Sequence, residues 1–356
     1  MDDMASTMAT GPADARADMV TLTCIGVRDE TPTIKTFTFQ ADDPAAIRHE
    51  PGQAVTLALA VEGETLYRTF SLSSAPRPDG VVEMTIKAHP AGRATAWLHR
   101  TLRPGSILQG RAPRGHFTLA RRASEKLAFV SGGSGATPLM AMLRHLAVND
   151  PNADVAWFHA ARSPDEVLFA TELARLQEVM PNLAVSVTVS QASPGWFGLR
   201  GRLSRRLISV AIPDFARRDV FCCGPAAFMD EAKLVYVAEG GRKDAFHTEA
   251  FGPVTLQSPS SPLSVDPDAE AASYQLRIGE RILQVRGDET ILQASLRQGV
   301  VIPCGCGQGL CGTCRITKIS GDTEMHHQGG LSPDEEQSGY ILACSTKLRS
   351  DAEIRL

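Results

Sequence analysis

Residues 304 to 314 read CGCGQGLCGTC, four cysteines within eleven positions. Counted from Cys306, the spacing is four residues to Cys311, two to Cys314, and then 29 residues to Cys344 in the segment GYILAC. Three close cysteines and one distant one form a ligand pattern for a two-iron, two-sulfide cluster. Zinc is the main rival, but zinc ribbons bring their ligands as two C-x2-C pairs, and this stretch holds a single such pair. Gly305, Gly307, Gly309 and Gly312 let the backbone wrap closely and aim N–H groups at sulfur. The reading is a [2Fe-2S] cluster held by Cys306, Cys311, Cys314 and Cys344, with Cys304 left over as an ordinary core cysteine.

Half of the eight cysteines lie in this loop, which fits metal ligation in a reducing compartment better than a disulfide framework. A chain of 356 residues with 43% hydrophobic and 21% charged residues has the composition of a globular protein and length for more than one core. The net charge of −4 supplies no broad basic field for nucleic acid or anionic lipid. No window approaches the roughly 20 apolar residues that span a bilayer. The opening MDDMASTMATGPADARADM is acidic and reads as a loose tail rather than a secretory signal. Cytoplasmic residence, with no nucleic acid and no membrane as partner, is the expectation.

Working outward from the cysteine loop, YQLRIGERILQV reads as a hairpin turning at Gly279 and Glu280, and ETILQASLRQG as a short helix closed by Gly299. Before it, GPVTLQSPSSPLSVDPDAEAA has no sustained period and reads as a linker. From Lys126 to Phe251 strand and helix patterns alternate (KLAFVS, PLMAMLRHLA, VAWFHAA, PDEVLFATELARLQEVM, LAVSVTVS, DVFCCGP), which predicts a doubly wound parallel sheet. Ser163 and Pro164 are set to start its second helix. Residues 20 to 119 alternate with period two and are interrupted by ATAWLHRTL, whose Trp97, Leu98 and Leu102 share a helical face. That pattern predicts an antiparallel β-barrel with one helix. The expected division is a tail over 1–19, an antiparallel barrel over 20–122, a doubly wound α/β domain over 123–252, a linker over 253–271 and a cluster domain over 272–356.

GLCGTC and GYILAC resemble plant-type ferredoxin domains, which have a β-grasp fold, and residues 20 to 252 resemble the ferredoxin-NADP reductase superfamily. The order of parts is similar to the reductase components of Rieske-type oxygenases and to hybrid-cluster-protein reductases. RTFSLSS, Arg68 to Ser74, matches the flavin motif of that superfamily. The resemblance implies Arg68 for the flavin phosphate, Thr69 and Phe70 beside the flavin and Ser71 near the ring nitrogen that accepts hydride. About 20 residues on, IKAHPAGRATAWLH supplies Ile86, Lys87, Gly92, Arg93, Ala94 and Thr95, the last four at a helix start where free N–H groups favour phosphate. The GRATAWLH form is similar to members that carry FAD, with FMN the alternative.

Gly132, Gly133 and Gly135 in FVSGGSGATP stand between a strand and a helix, where a pyrophosphate can approach the backbone, although Pro138 replaces the third glycine of G-x-G-x-x-G. CGPAAFM and HTEAF match the superfamily as well. By that resemblance Thr137, Cys223, Gly224 and Pro225 border the nicotinamide, while Glu249 and Phe251 approach the flavin, and Ser71, Cys223, Glu249 and Phe251 form the catalytic set. Cys222 reads as core. Arg162 and Asp165 in AARSPDEV are both candidates to meet the adenosine ribose, and NADH is the expected coenzyme with NADPH the alternative.

Nicotinamide gives up two electrons together, an iron–sulfur cluster changes by one, and a flavin converts between them. Clusters of this type lie near about −400 mV, low enough to drive many acceptors. The expected activity is electron transfer from NAD(P)H through FAD to the cluster and on to a Rieske-type oxygenase. MHHQGGLSPDEEQSGYILAC is similar to members serving demethylases of quaternary ammonium compounds. The competing readings are a hybrid-cluster-protein reductase and an iron–sulfur redox sensor. His326 and His327 read as loop residues near a partner surface.

Overall fold

The structure is a computed structural model that describes residues 19–89, 92–251 and 272–356. Its first unit is an antiparallel sheet of β1 (Met19–Thr31), β2 (Ile34–Ala41), β3 (Ala54–Val61), β4 (Glu64–Ser71), β5 (Val81–Lys87) and β6 (Ile107–Arg114), with α1 (Arg93–Thr101) between β5 and β6. The strands lie in the order β4-β3-β6-β1-β2-β5. Leu72, just past β4, bridges to Met84 of β5 and closes the sheet on itself. Alternation explains the enclosed core: Phe37, Phe39 and Ala41 of β2 are buried while Thr38 and Gln40 turn outward. Leu98 and Leu102 of the α1 segment add to that core, with Trp97 packed at its edge.

The second unit contains β7 (Lys126–Gly132), α2 (Ala136–Asn149), β8 (Asp154–Ala161), α3 (Ala170–Val179), β9 (Leu183–Val189), β10 (Leu199–Arg200), α4 (Arg205–Ala211), β11 (Asp219–Gly224), α5 (Ala226–Ala238) and β12 (Phe246–Ala250). All strands are parallel, in the order β10-β9-β8-β7-β11-β12. The chain winds outward from β7 to β10, then returns to the other side of β7. The strand order therefore reverses between β7 and β11, which is where such sheets open a crevice for ligand. Separate apolar cores cover the two faces of the sheet.

One expectation fails in this unit. The single helix read from Pro164 is instead a 3-10 turn over Pro164–Glu166, a break, and then α3, and Ser163 makes no capping hydrogen bond. Val167, Leu168 and Phe169 are three consecutive apolar residues and all three are buried, which one helical face cannot achieve. Phe169 takes a left-handed backbone, φ 60°, to turn the chain inward. The Leu168 N–H donates to Nε2 of the buried His159 at 3.4 Å.

The third unit holds β13 (Ser273–Ile278), β14 (Arg281–Arg286), α6 (Ile291–Arg297), β15 (Arg315–Ser320), β16 (Thr323–Met325), α7 (Pro333–Gln337), β17 (Tyr340–Leu342), β18 (Thr346–Leu348) and β19 (Ala352–Arg355). Five strands form a mixed sheet, β14-β13-β19-β15-β17, and β16 pairs with β18. The β13–β14 hairpin turns at Gly279, φ 59°, as its sequence predicts. A Thr290–Gln293 capping box starts α6, and Ile291, Leu292 and Ala294 fix it to a core that also contains Cys314 and Cys344. The expected tail lies outside the described residues except Met19, and the expected linker over 253–271 lies wholly outside them. None of the described helices is long and apolar enough to cross a membrane.

Candidate redox centres and the path between them

The cysteine loop carries almost no regular structure, so its shape comes from glycine and from hydrogen bonds to sulfur. Gly307, Gly309 and Gly312 all have φ near 70°. Within this loop the N–H groups of Gln308 and Leu310 donate to Cys306 Sγ at 3.4 and 3.3 Å, that of Cys306 to Cys311 Sγ at 3.3 Å, and that of Gly309 to Cys344 Sγ at 3.2 Å. The Cys306 thiol lies within hydrogen-bonding reach of Cys311, and the Cys314 thiol of Cys344. Among the described residues no three His, Cys, Asp or Glu side chains converge as ligands of a single ion; the thiols form a chain of neighbours, with Cys344 in reach of both Cys306 and Cys314. Neighbouring thiols and then burial push Cys311, Cys314 and Cys344 above the ordinary thiol range. Buried sulfurs of this kind with N–H donors aimed at them suit thiolates bound to metal, so the donor set fits a two-iron cluster.

Cys304 has closer company than its spacing suggests. Its thiol is within reach of Cys314 and Cys344, and Arg68 of β4 is near enough to bias it electrostatically. The loop rests on the barrel: a Cβ at Gly305 would meet the Thr56 methyl at 3.3 Å, and a Cβ at Gly115 would meet Leu310 at 2.9 Å.

Three residues beyond Arg68, on the same strand, the Ser71 hydroxyl donates to Glu249 Oε2 at 2.7 Å, joining β4 to β12 across the two units. Glu249 is 2% exposed and its other carboxylate oxygen has no partner. Burial pushes its pKa up to about 8, with the Ser71 bond opposing. Cys223 is opposite Glu249 in the β11–β12 register, and its thiol is likewise pushed up by burial, then by Glu249. At the start of α1, a Cβ on Gly92 would fall 2.7 Å from Thr95 Oγ1, and that hydroxyl accepts from the His89 N–H at 3.1 Å. This is a close-approach cradle at a helix N-terminus, the feature a flavin phosphate needs.

At the crevice between β7 and β11 lies a cleft of about 830 Å³ lined by Lys87, Gly133, Arg162, Ser190, Arg202 and Phe251 among others. Glycine is obligatory at its floor, since a Cβ on Gly135 would sit 2.1 Å from the Cys223 carbonyl oxygen. Bonds between the barrel and the nucleotide unit hold the two together. Arg144 of α2 binds Glu83 of β5 at 2.6 Å, the Ser73 carbonyl at 2.9 Å and Glu172 of α3 at 2.7 Å. The Thr137 hydroxyl donates to the Thr85 carbonyl at 3.2 Å. A larger groove of about 1120 Å³ between the barrel and α2–α3 is lined by Arg144, by the pair Arg28–Glu30 and by Arg77, which pairs with Asp79, and contains none of the expected site residues.

Comparison with known proteins agrees with this arrangement. Family profiles match an oxidoreductase FAD-binding domain over residues 25–119, an oxidoreductase NAD-binding domain over 129–233 and a 2Fe-2S iron-sulfur cluster binding domain over 276–349. The glycine betaine monooxygenase reductase subunit of Pseudomonas aeruginosa (strain UCBPP-PA14) is 34% identical over 342 residues, 93% of each chain. The chain belongs to the flavin and iron–sulfur oxygenase reductases. The stachydrine N-demethylase reductase subunit Stc4 of Rhizobium meliloti (strain 1021) is 32% identical to this reductase over 93% of the chain and 95% of its own. Phthalate dioxygenase reductase shares the fold, with a TM-score of 0.55 at 22% identity over 96% of this chain and 98% of its own.

The reductase thus uses FAD, a [2Fe-2S] cluster and a pyridine nucleotide. Its structure brings Ser71, Glu249 and Cys223 together, with Phe251 at the rim of the cleft and 41% exposed. Gly132, Gly224 and Pro225 join the cleft wall. Phe70 packs partly against the barrel core, Thr69 bonds Thr56 through their hydroxyls at 2.9 Å, and the Ile86 side chain is core while its carbonyl lies 2.8 Å from His99 Nε2. Ala94 is buried beneath the α1 cradle, and Arg93 is turned to Glu62 and Glu64 at 3.3 and 3.0 Å. Cys222 is core, as read.

One expectation needs correction. Asp165 is exposed and does not line the cleft; Glu166 does, and it pairs with Lys87 at 3.5 Å, because the 3-10 turn points successive acids different ways. His326 and His327 lie in a loop after β16, as read. The His327 ring is tilted 46° against that of His116 of the barrel segment, 6.0 Å between centroids, and bonds Glu336 at 3.1 Å, whereas His326 stays exposed beside Glu324. Sequence reasoning missed Ser190 and Arg202 in the cleft, and missed Arg144, Arg114 and Glu335 between units. Arg114 and Glu335 are 221 positions apart, a separation no local pattern can register.

Proposed function

We propose that this reductase withdraws electrons from NADH, with NADPH the alternative, and delivers them singly to a Rieske-type oxygenase that demethylates a quaternary ammonium substrate. The observation that carries the reading is strand β4, where Ser71 bonds Glu249 of the nucleotide unit while Thr69, two residues earlier, bonds Thr56, against which Gly305 of the cysteine loop rests. Entry and exit of charge are therefore joined by one stretch of backbone.

When bound, FAD would supply the conversion of a hydride into single electrons. Ser71 would hold a hydroxyl at the flavin edge, and Glu249, kept neutral by burial near pH 7, would supply a proton-bearing group there without adding charge. Phe251 would cover the flavin and would have to move aside for nicotinamide. Gly92, Arg93, Ala94 and Thr95 hold the flavin phosphates from α1 with Arg68 opposite. Gly132, Gly133 and Gly135 admit the pyrophosphate, with Thr137, Cys223, Gly224 and Pro225 around the nicotinamide, and Arg162 and Arg202 meet the adenosine end. Cys306, Cys311, Cys314 and Cys344 hold the irons. The units divide at residues 20–122, 123–252 and 272–356, and thiolate ligation suits the cytoplasm.

Relatives named as reductase subunits of glycine betaine monooxygenase and stachydrine N-demethylase support the choice of partner. A second reading, reduction of a hybrid-cluster protein, is supported by NADH oxidoreductase HCR of Escherichia coli (strain K12), 29% identical over 91% of this chain. Anaerobic titration of the purified protein with NADH, then NADPH, tests the core of the proposal. The expected course is bleaching of flavin absorbance, then the paramagnetic signal of a reduced [2Fe-2S] cluster, then demethylation by an added quaternary-ammonium oxygenase component. Zinc in place of iron and sulfide, or a protein without flavin absorbance, overturns it.

A further inference from the structure

The cysteine loop meets the barrel at Thr56 of β3 and along a short segment at the end of β6. Arg114 Nη1 binds Glu335 Oε2 at 2.8 Å and its Nη2 donates to Oε1 at 3.3 Å, a forked pair between the first and third units. Glu335 also binds Arg315 of β15, so one carboxylate lies between two guanidinium groups. Arg114 and Glu335 are 18% and 16% exposed, shielded enough for the pair to resist screening. Arg114 Nη1 donates further to the Gly330 carbonyl at 3.4 Å, and the His116 N–H to the Gln328 carbonyl at 3.0 Å. Gly329 lets the chain lie flat on His116, for a Cβ there would be 2.5 Å from the ring. Burial alone would raise the Glu335 carboxyl; Arg114, the Ser332 N–H and Arg315 override it and bring it down to about 2.

We propose that Glu335, clasped by Arg114, is a positioning residue that holds the cysteine loop against β3 and β4 for the transfer of electrons from flavin to cluster. The inference rests on the function proposed above and adds to it the group that fixes the distance. In the step, one electron leaves the reduced flavin, which is oxidised by one, and enters the cluster, which is reduced by one. The flavin proton goes to water and no bond forms between the centres. Glu335 touches neither centre; it acts through the placement of the Gly305 backbone on Thr56 and of the Leu310 side chain on Gly115.

The test uses the full-length holoprotein with Glu335→Gln and, separately, Arg114→Gln. Gln at position 335 can still complete the Ser332 capping box of α7, so folding of that turn is preserved while the charge is lost. Stopped-flow mixing with NADH reports flavin bleaching, and freeze-quench spectroscopy reports cluster reduction. Both variants are expected to bleach flavin at the wild-type rate and keep the wild-type cluster signal and potential, while cluster reduction slows more than tenfold. Cluster reduction at the wild-type rate in both variants overturns the clasp, as does slowing of flavin bleaching to the same extent. A wild-type cluster that NADH never reduces overturns instead the electron path on which the clasp depends.

Discussion

The barrel meets its two neighbours in different ways. Its contact with the nucleotide unit is buried and multiply bonded, through Ser71–Glu249, Thr137–Thr85 and the Arg144 fork to Glu83 and Glu172. Its contact with the cysteine unit is narrower: Thr56 meets Gly305, and three consecutive residues, Arg114 to His116, meet Leu310, Gln328 to Gly330 and Glu335. Hydride transfer needs reacting atoms within about 3–3.5 Å, and a fixed joint provides that. Single electrons cross longer gaps, so a smaller joint serves.

The largest effect expected comes from removing the outlet altogether. Cys344→Ser should abolish the [2Fe-2S] signal and reduction of the oxygenase while leaving NADH-dependent flavin bleaching near wild type, read by metal analysis and stopped-flow absorbance. Loss of both activities would show that the two joints are not separable. At the inlet, Ser71→Ala removes one hydroxyl and should slow flavin reduction by about 10–100-fold, corresponding to about 1.5–3 kcal/mol of barrier. An unchanged bleaching rate would exclude Ser71 from the hydride site. Arg144→Ala should cost about 1–3 kcal/mol in denaturant unfolding, because two carboxylates and a carbonyl lose a shared partner. An equal cost from Arg114→Ala would erase the contrast between the joints.

Acidity separates them more finely. Glu249 has a folded pKa raised to about 8 from an ordinary value of 4.5, so between those values the unfolded chain ionises and the folded one does not. Its contribution is present below pH 4.5 and is lost as pH rises toward 8, at no more than about 1.4 kcal/mol per pH unit. Glu249→Gln should flatten that slope in urea unfolding. Glu335 has the opposite sign: its pKa is depressed to about 2, so its stabilising charge persists down through pH 4.5 and fades only toward pH 2. The smallest effect belongs to Asp165→Ala, which should leave stability and the NADH KM unchanged within error, since that carboxylate faces solvent.

Much of this was legible in the sequence because the signals were local. The C-x4-C-x2-C spacing, the RTFS motif and the glycines after β7 each specify backbone shape within a dozen residues. The alternation of strand and helix likewise predicted the parallel sheet. What escaped were relations between distant positions. Cys304 looked spare in the spacing, yet folding brings it beside Cys314 and Cys344. Glu335 completes a capping box with Ser332, and nothing local named Arg114 as a further partner. The failed helix at Pro164 has another cause: three successive apolar residues found a shared buried site, and burial prevailed over helical propensity.

Strand β4 also carries a counting rule. Thr69 and Ser71 are two residues apart, so pleating directs them to one face, about 7 Å apart along the chain: Ser71 bonds Glu249, and Thr69 bonds Thr56, against which Gly305 rests. Inserting a single residue between them would turn one of the two to the other side, and no single face of β4 would then serve both the nucleotide unit and the cysteine loop. Two-residue changes would preserve facing and alter only the gap. The parity of this three-residue segment is thus what keeps the chain's donor and acceptor compartments apart yet in communication.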